Sequence, residues 1–224
     1  WPEQNLYAIA VAEKGTLTVK LAARGRTGHA STPRSDNSLE LLVRVLARLK
    51  SWRRPTRLTE TVREMLHLLS PSQSFPRSML FAQAGSRLLW PLLRLWLEKE
   101  PFFLPLIGDT VSLTMLHSGQ KSNVIPDQAE AILDIRLLPG EDPTAVVADL
   151  RSFIGDLPVT IEIEDAPVPH LSSSTTTDFY RALTGTLSQL DPAGLAMPYL
   201  TPGATDSRFF RRAGMQSYGF LPFL

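Results

Sequence analysis

The stretch from Gly119 to Pro139 limits the fold more than any other part of this chain. From Ala129 onward, Ala129, Ala131, Leu133, Ile135 and Leu137 alternate with Glu130, Asp134 and Arg136, the period of a strand with one face in a core and one in water. Arg136 therefore leaves the strand on its polar face. Just upstream, Pro126 fixes its own backbone angle, lacks a donor and pushes Ile125 toward extended geometry, which places Asn123 on a stiffened turn. An amide and a guanidinium are thus expected from one rigid corner.

Three further segments carry the same alternation: Leu17 to Ala23, Val111 to Met115 and Val159 to Ile163. Helical spacing appears at Leu39, Leu42, Val43, Leu46 and Leu49, behind candidate caps in Ser35 to Ser38. It appears again at Val146, Val147, Leu150 and Ile154, opened by Asp142 and Pro143. Strand, helix, strand, strand, helix, strand is the order of a ferredoxin-like layer, one sheet with two helices on one face. The fold class is therefore α/β (α+β), with this layer over residues 14–164. Residues 52–108, rich in Leu, Trp, Phe and Pro, read as a helical insertion with pieces at Glu60 to Leu69 and Ser78 to Leu97; Pro91, Pro101 and Pro105 argue against one unbroken helix. Residues 1–13 carry the buried-type strand Leu6 to Val11. Residues 165–224 carry a helix near Thr177 to Leu190 and strands at Ala196 to Leu200 and Ser217 to Leu221, so the two flanks read as sides of a larger α/β domain.

Charge excludes some partners. Lys plus Arg number 23 against 22 Asp plus Glu, too balanced for a strongly basic nucleic-acid footprint. The sheet-face residues Thr16, Thr18, Glu130, Asp134 and Glu162 offer neither a stacking platform nor a basic track for RNA. The absence of cysteine removes thiolate nucleophiles and Cys-based zinc sites, and leaves the compartment open. Trp1 to Gln4 has no signal-peptide pattern, and no apolar run is long enough to span a bilayer.

Five short segments then occur in a telling order: Ala12-Glu13-Lys14-Gly15, Gly28-His29-Ala30-Ser31, Asn123-Val124-Ile125-Pro126-Asp127, Leu133-Asp134-Ile135-Arg136 and Gly203-Ala204-Thr205-Asp206-Ser207-Arg208. Together they resemble the M20 metallopeptidase and aminoacylase family, and within it the carboxypeptidase S and N-fatty-acyl-amino-acid hydrolase branch. The resemblance implies a catalytic domain with two zinc ions and an inserted lid domain that often mediates homodimerisation. Its substrate would be a peptide or an N-acyl amino acid. The metals would polarise the scissile carbonyl and acidify a bridging water.

Residue by residue, the resemblance implies that His29 reaches a neighbouring subunit's site and stabilises the oxyanion, with Asn123 assisting. Arg136 and Arg208 would bind the substrate carboxylate, and Gly203, Ala204 and Thr205 would form a close-approach loop. Glu13 matches a metal ligand, and it alone does so. The family's His-x-Asp segment and Glu-Glu pair do not occur before it, so the isolated chain is expected to assemble no zinc site and to be inactive. Plain alternatives stand beside each role: a loop histidine, turn chemistry at Asn123, ion pairs of the arginines with Asp134 or Asp206, and a helix cap at Thr205 or Asp206. His67, His117 and His170 match no motif and read as structural. Leu88, Leu89, Trp90, Leu92, Leu93, Trp96, Phe102, Phe103 and Leu104 could line an acyl-chain groove or touch a membrane; packing of these helices onto the lid helices is the simpler expectation. A non-catalytic ferredoxin-like module that pairs with its twin through an exposed edge strand is the competing function. On the hydrolase reading, His29, Asn123 and Arg136 are expected to converge on one side of the layer.

Overall fold

The computed structural model describes residues 4–166 and 171–223. His170 lies outside the described residues. The chain order is β1 (Leu6–Glu13), β2 (Gly15–Arg24), β3 (Gly28–His29), α1 (Ser38–Leu49), α2 (Glu60–Leu69), α3 (Arg77–Ala82), α4 (Trp90–Leu97), α5 (Leu104–Ile107), β4 (Thr110–Ser118), β5 (Val124–Ile125), β6 (Gln128–Leu137), α6 (Pro143–Ile154), β7 (Val159–Asp165), α7 (Asp178–Leu190), β8 (Leu195–Thr201), α8 (Ser207–Arg212) and β9 (Gly219–Phe223).

The period-two segments build one four-stranded sheet in the order β4-β6-β2-β7, antiparallel throughout. Its inward row, Leu17, Val19, Leu21 and Ala23 from β2 with Ala129, Ala131, Leu133, Ile135 and Leu137 from β6, meets Leu41, Leu42 and Val45 of α1 and Val146, Leu150 and Ile154 of α6. Local chemistry sets the helix ends. The Asn37 side chain accepts from the Leu39 N–H and caps α1, and Asp142 accepts from Thr144 and caps α6 with Pro143 at its first position. Gly155, at φ 66°, closes α6 in a backbone region that favours glycine.

A second, separate core lies around a three-stranded sheet, β8-β1-β9, in which β1 runs parallel to β8 and antiparallel to β9. Here the insertion departs from expectation. Val62, Met65, Leu66 and Leu69 of α2, Phe81 of α3, Leu93 and Leu97 of α4, and Phe103 and Leu106 share one core with Ala8, Ile9 and Val11 of β1 and Met197, Tyr199 and Leu200 of β8. The insertion helices therefore cover the parallel strands and not α1 and α6. The reason is supply and demand of apolar surface: β1 is buried along almost its whole length and needs cover, whereas the other sheet is already covered by its own two helices.

The helical piece expected at Ser78 to Leu97 is broken in two. The chain leaves α3 through Gln83 and Ala84-Gly85 before α4 begins, with Pro91 in its first turn. The last strand starts at Gly219 and not Ser217, because the backbone of Ser217 is bonded to Ser173 and Arg211. Since Leu66 is fully buried, Leu66→Ala is expected to cost about 2–5 kcal/mol. Amide exchange should rise in β1 and β8 while β2 and β6 keep their protection. A uniform rise in both sheets would show that the two cores unfold as one.

Candidate functional site

Two groups of residues emerge, one at each end of β6. At its amino end, β3 and β5 form a two-residue ribbon that sets His29 opposite Val124. The Ala30 N–H donates to the Asn123 carbonyl at 3.0 Å. His29 and Asn123 are therefore neighbours, and both are exposed. The ring is oriented locally: Nδ1 accepts from the Ser31 N–H at 3.2 Å and lies 2.7 Å from Ser31 Oγ. With Nδ1 accepting, the neutral imidazole carries its proton on Nε2, a donor facing outward.

At the other end of β6, Arg136 pairs in register with Thr16 of β2 and Thr110 of β4. Its guanidinium forms a fork on Asp134, Nε to Oδ1 at 2.6 Å and Nη2 to Oδ2 at 2.8 Å, and Nη1 donates to Thr16 Oγ1 at 2.8 Å. From Gln128 to Arg136 the rise of a strand gives roughly 26 Å. The expected convergence of His29, Asn123 and Arg136 within one chain is thus corrected: the first two meet, and the guanidinium lies a strand's length away. Alternation put Arg136 on the right face and said nothing about its distance from the ribbon.

Next to the Arg136 end, β1 and β8 finish side by side, with Glu13 opposite Thr201. The carboxyl ends of parallel strands are where open α/β sheets place ligands. From there the chain runs through Gly203, Ala204 and Thr205 into α8. Glu13 is 2% exposed. One of its carboxylate oxygens accepts from Arg211 Nη1 at 3.0 Å and the other from the Thr205 N–H. Arg211 was not among the expected site residues. It is buried, and it donates also to Ser173 Oγ at 3.0 Å, the Ala10 carbonyl at 3.2 Å and the Ser217 carbonyl at 2.9 Å. Burial pulls its basicity below the ordinary arginine value, opposed by the charge of Glu13.

Arg208 lies beside this cluster with its guanidinium carbon 4.8 Å from the centre of the Phe209 ring. Arg208 Nε and Thr201 Oγ1 are buried without a hydrogen-bond partner among the described residues. Such atoms cost free energy unless something arrives to satisfy them.

Zinc does not fit this residue set. Both oxygens of Glu13 are engaged by the chain itself, and no group of three or more His, Cys, Asp or Glu side chains is placed to hold a metal ion among the described residues. A structural zinc site needs about four such ligands, and a catalytic one about three.

The peptidase dimerisation domain of the M20 family matches residues 11–161, well over half of the chain. The chain belongs to the M20 peptidase family. It is 29% identical over 98% of its length to the human N-fatty-acyl-amino acid synthase/hydrolase PM20D1 and 28% identical over 97% to the probable carboxypeptidase S-like 2 of Dictyostelium discoideum. It spans 44% and 41% of those relatives, less than half of each. Among solved structures, the M20 metallo-carboxypeptidase Sso-CP2 of Sulfolobus solfataricus superposes with a TM-score of 0.59 at 18% identity, covering 93% of this chain and 57% of that one. Human carnosine dipeptidase 1 superposes with a TM-score of 0.60 at 13% identity, covering 97% and 50%. The M20 residues 11–161 thus begin within β1 and end within β7, enclosing both ends of β6 and the insertion. No helix among the described residues is long and apolar enough to cross a membrane.

Proposed function

We propose that this chain is the lid and dimerisation part of a zinc-dependent M20 amidohydrolase or exopeptidase that cleaves a peptide or N-acyl amino-acid amide bond, and that it works by completing a site across a homodimer. One observation carries the reading. His29 and Asn123 sit together at one end of the sheet, while Arg136, Arg208 and the Gly203 to Thr205 loop sit at the other, so a single chain supplies two incomplete halves. A second copy unites them if the layers join along β4.

That strand suits the task. It is one of the two edges of its sheet, with β7 at the other, and its Val111, Leu113, Met115 and Leu116 are 38–56% exposed, an arrangement that invites strand pairing. A groove of about 1070 Å³ runs beside it, lined among others by Leu46, Leu49, Trp52, Val111 and Leu113. In the joined state His29 Nε2–H and the Asn123 amide would donate to the developing oxyanion. Arg136 and Arg208 would take the substrate carboxylate, Arg208 through the donor that now has no partner. Zinc would be held by polypeptide other than these 224 residues, which on this reading bind no zinc and hydrolyse nothing by themselves.

Subunit complementation tests the proposal in an enzyme carrying this segment. His29→Ala is expected to lower kcat on an N-acyl amino acid about 100-fold, and Arg136→Ala to raise KM. At substrate well below KM, where both variants are impaired, mixing them should restore roughly a quarter of the activity, since half of randomly formed dimers would carry one complete site. No recovery on mixing, with exchange of subunits verified, would rule out the shared site. In sedimentation velocity the chain should run as a dimer and Leu113→Glu as a monomer. A dimer with no contribution of His29 to turnover would favour the purely non-catalytic module.

A further inference from the structure

We infer that Arg211 is a positioning residue, and that through Glu13 it fixes the loop Gly203 to Thr205 at the height where Arg208 and Thr201 can receive an anion. The inference rests on the reading of that loop as a carboxylate site, and it assigns the buried ion pair a task in that site.

A fully buried ion pair is a poor source of stability, because desolvation offsets most of the attraction and apolar substitutes often do as well. Its geometry shows what else it achieves. Arg211 grips four points on three separate stretches: Glu13 and the Ala10 carbonyl on β1, Ser173 Oγ, and the Ser217 carbonyl just before β9. Ser173 is itself tied to β1 through its N–H to the Val11 carbonyl at 2.8 Å and to both backbone groups of Ser217. The guanidinium is thus fixed relative to the sheet, and it fixes the Glu13 carboxylate. The remaining Glu13 oxygen reaches a single donor, the backbone N–H of Thr205.

The loop has little else to hold it. Gly203 and Ala204 lie outside any strand or helix, and a Cβ placed on Gly203 would meet nothing within 4 Å. The two orphaned polar atoms, Thr201 Oγ1 and Arg208 Nε, stand on either side of this segment. Their separation is set by the path the chain takes between them, and the bond from Thr205 to Glu13 determines that path.

The test uses the 224-residue chain, amide NMR of Thr205, and calorimetric binding of N-lauroylglycine against its uncharged analogue N-lauroylglycinamide. Glu13→Gln, neutral and of equal size, and Arg211→Met are expected to speed exchange of the Thr205 amide about tenfold or more, to move its resonance, and to reduce the preference for the acid over the amide by a similar factor. Arg211→Lys, which keeps a cation beside Glu13, should restore the Thr205 resonance toward the wild-type position. Should Arg211→Met not fold, Glu13→Gln decides on the same readouts. Variants that only lower Tm, with the Thr205 amide and the acid preference as in wild type, would overturn the inference. Arg208→Met separates the two ideas, since it should abolish the acid preference and leave the Thr205 amide in place. If wild type shows no acid preference while the Thr205 amide responds as expected, the carboxylate reading fails and the positioning role stands.

Discussion

Arg54→Met is expected to lower the stability of this protein by about 3–5 kcal/mol, the cost of leaving a buried carboxylate without its cation. The Arg54 side chain is 13% exposed and joins Asp109, whose side chain is 3% exposed, at 3.1 Å, Glu141 at 3.1 Å and Asp149 at 2.9 Å. Around it, Trp52 Nε1 donates to Asp149 and the Leu138 N–H to Asp109, while Arg57 bridges Glu141 and the Pro139 carbonyl. These contacts bind both ends of the insertion to α6 and to the turn after β6, although the insertion's apolar residues lie in the other core. Urea unfolding measures the loss, and Arg54→Met with Asp109→Asn should recover much of it. A loss under about 1 kcal/mol would place the cluster in the class of solvated surface pairs.

The second large effect concerns pH. Lys14 is fully buried and its Nζ donates to the Gly108 carbonyl at 2.7 Å and to Thr110 Oγ1 at 3.3 Å. Burial lowers its pKa from 10.5 to about 8, with Asp109 opposing the shift and Arg136 adding to it. Between those two values the unfolded chain binds more protons than the folded one, so stability rises with pH across the window. Below pH 8 both states are protonated and the full cost of burying the ammonium is present; above pH 10.5 it is gone. The difference in unfolding free energy between wild type and Lys14→Met should therefore rise by about 3 kcal/mol from pH 8 to 10.5. A difference independent of pH would mean that the ammonium is solvated.

Much of the β2, β6, α1 and α6 arrangement was legible in the sequence because one face of the sheet is buried and the other is wet, which writes a period of two into β2 and β6. The cap at Asp142 was equally plain, whereas Asn37 was one of four candidates in Ser35 to Ser38, each with a side chain able to bond the backbone locally. The insertion was less readable. Leu93 and Leu97 of α4 are buried while Leu92 and Leu95 are exposed, so apolar residues mark both sides of the helix and no stripe tells which neighbour it meets. Edge strand β4 shows the same ambiguity, since its apolar residues Leu113 and Met115 lie on either side of a register shift. At the site, the pairing of His29 with Asn123 depends on a ribbon of two residues per strand, too short for any periodicity. Arg211 was hidden among Arg208, Arg211 and Arg212. Three like residues within one turn and a half differ only in the direction they point, and that direction is a property of the fold.

The fork between Arg136 and Asp134 has a consequence for any anion that comes to this guanidinium. The arriving carboxylate would exchange with a resident one and not meet a bare cation, so its net gain is the difference between two similar contacts. Affinity at that position should respond only weakly to salt, and selectivity would then depend on how well the newcomer matches the planar geometry Asp134 already occupies.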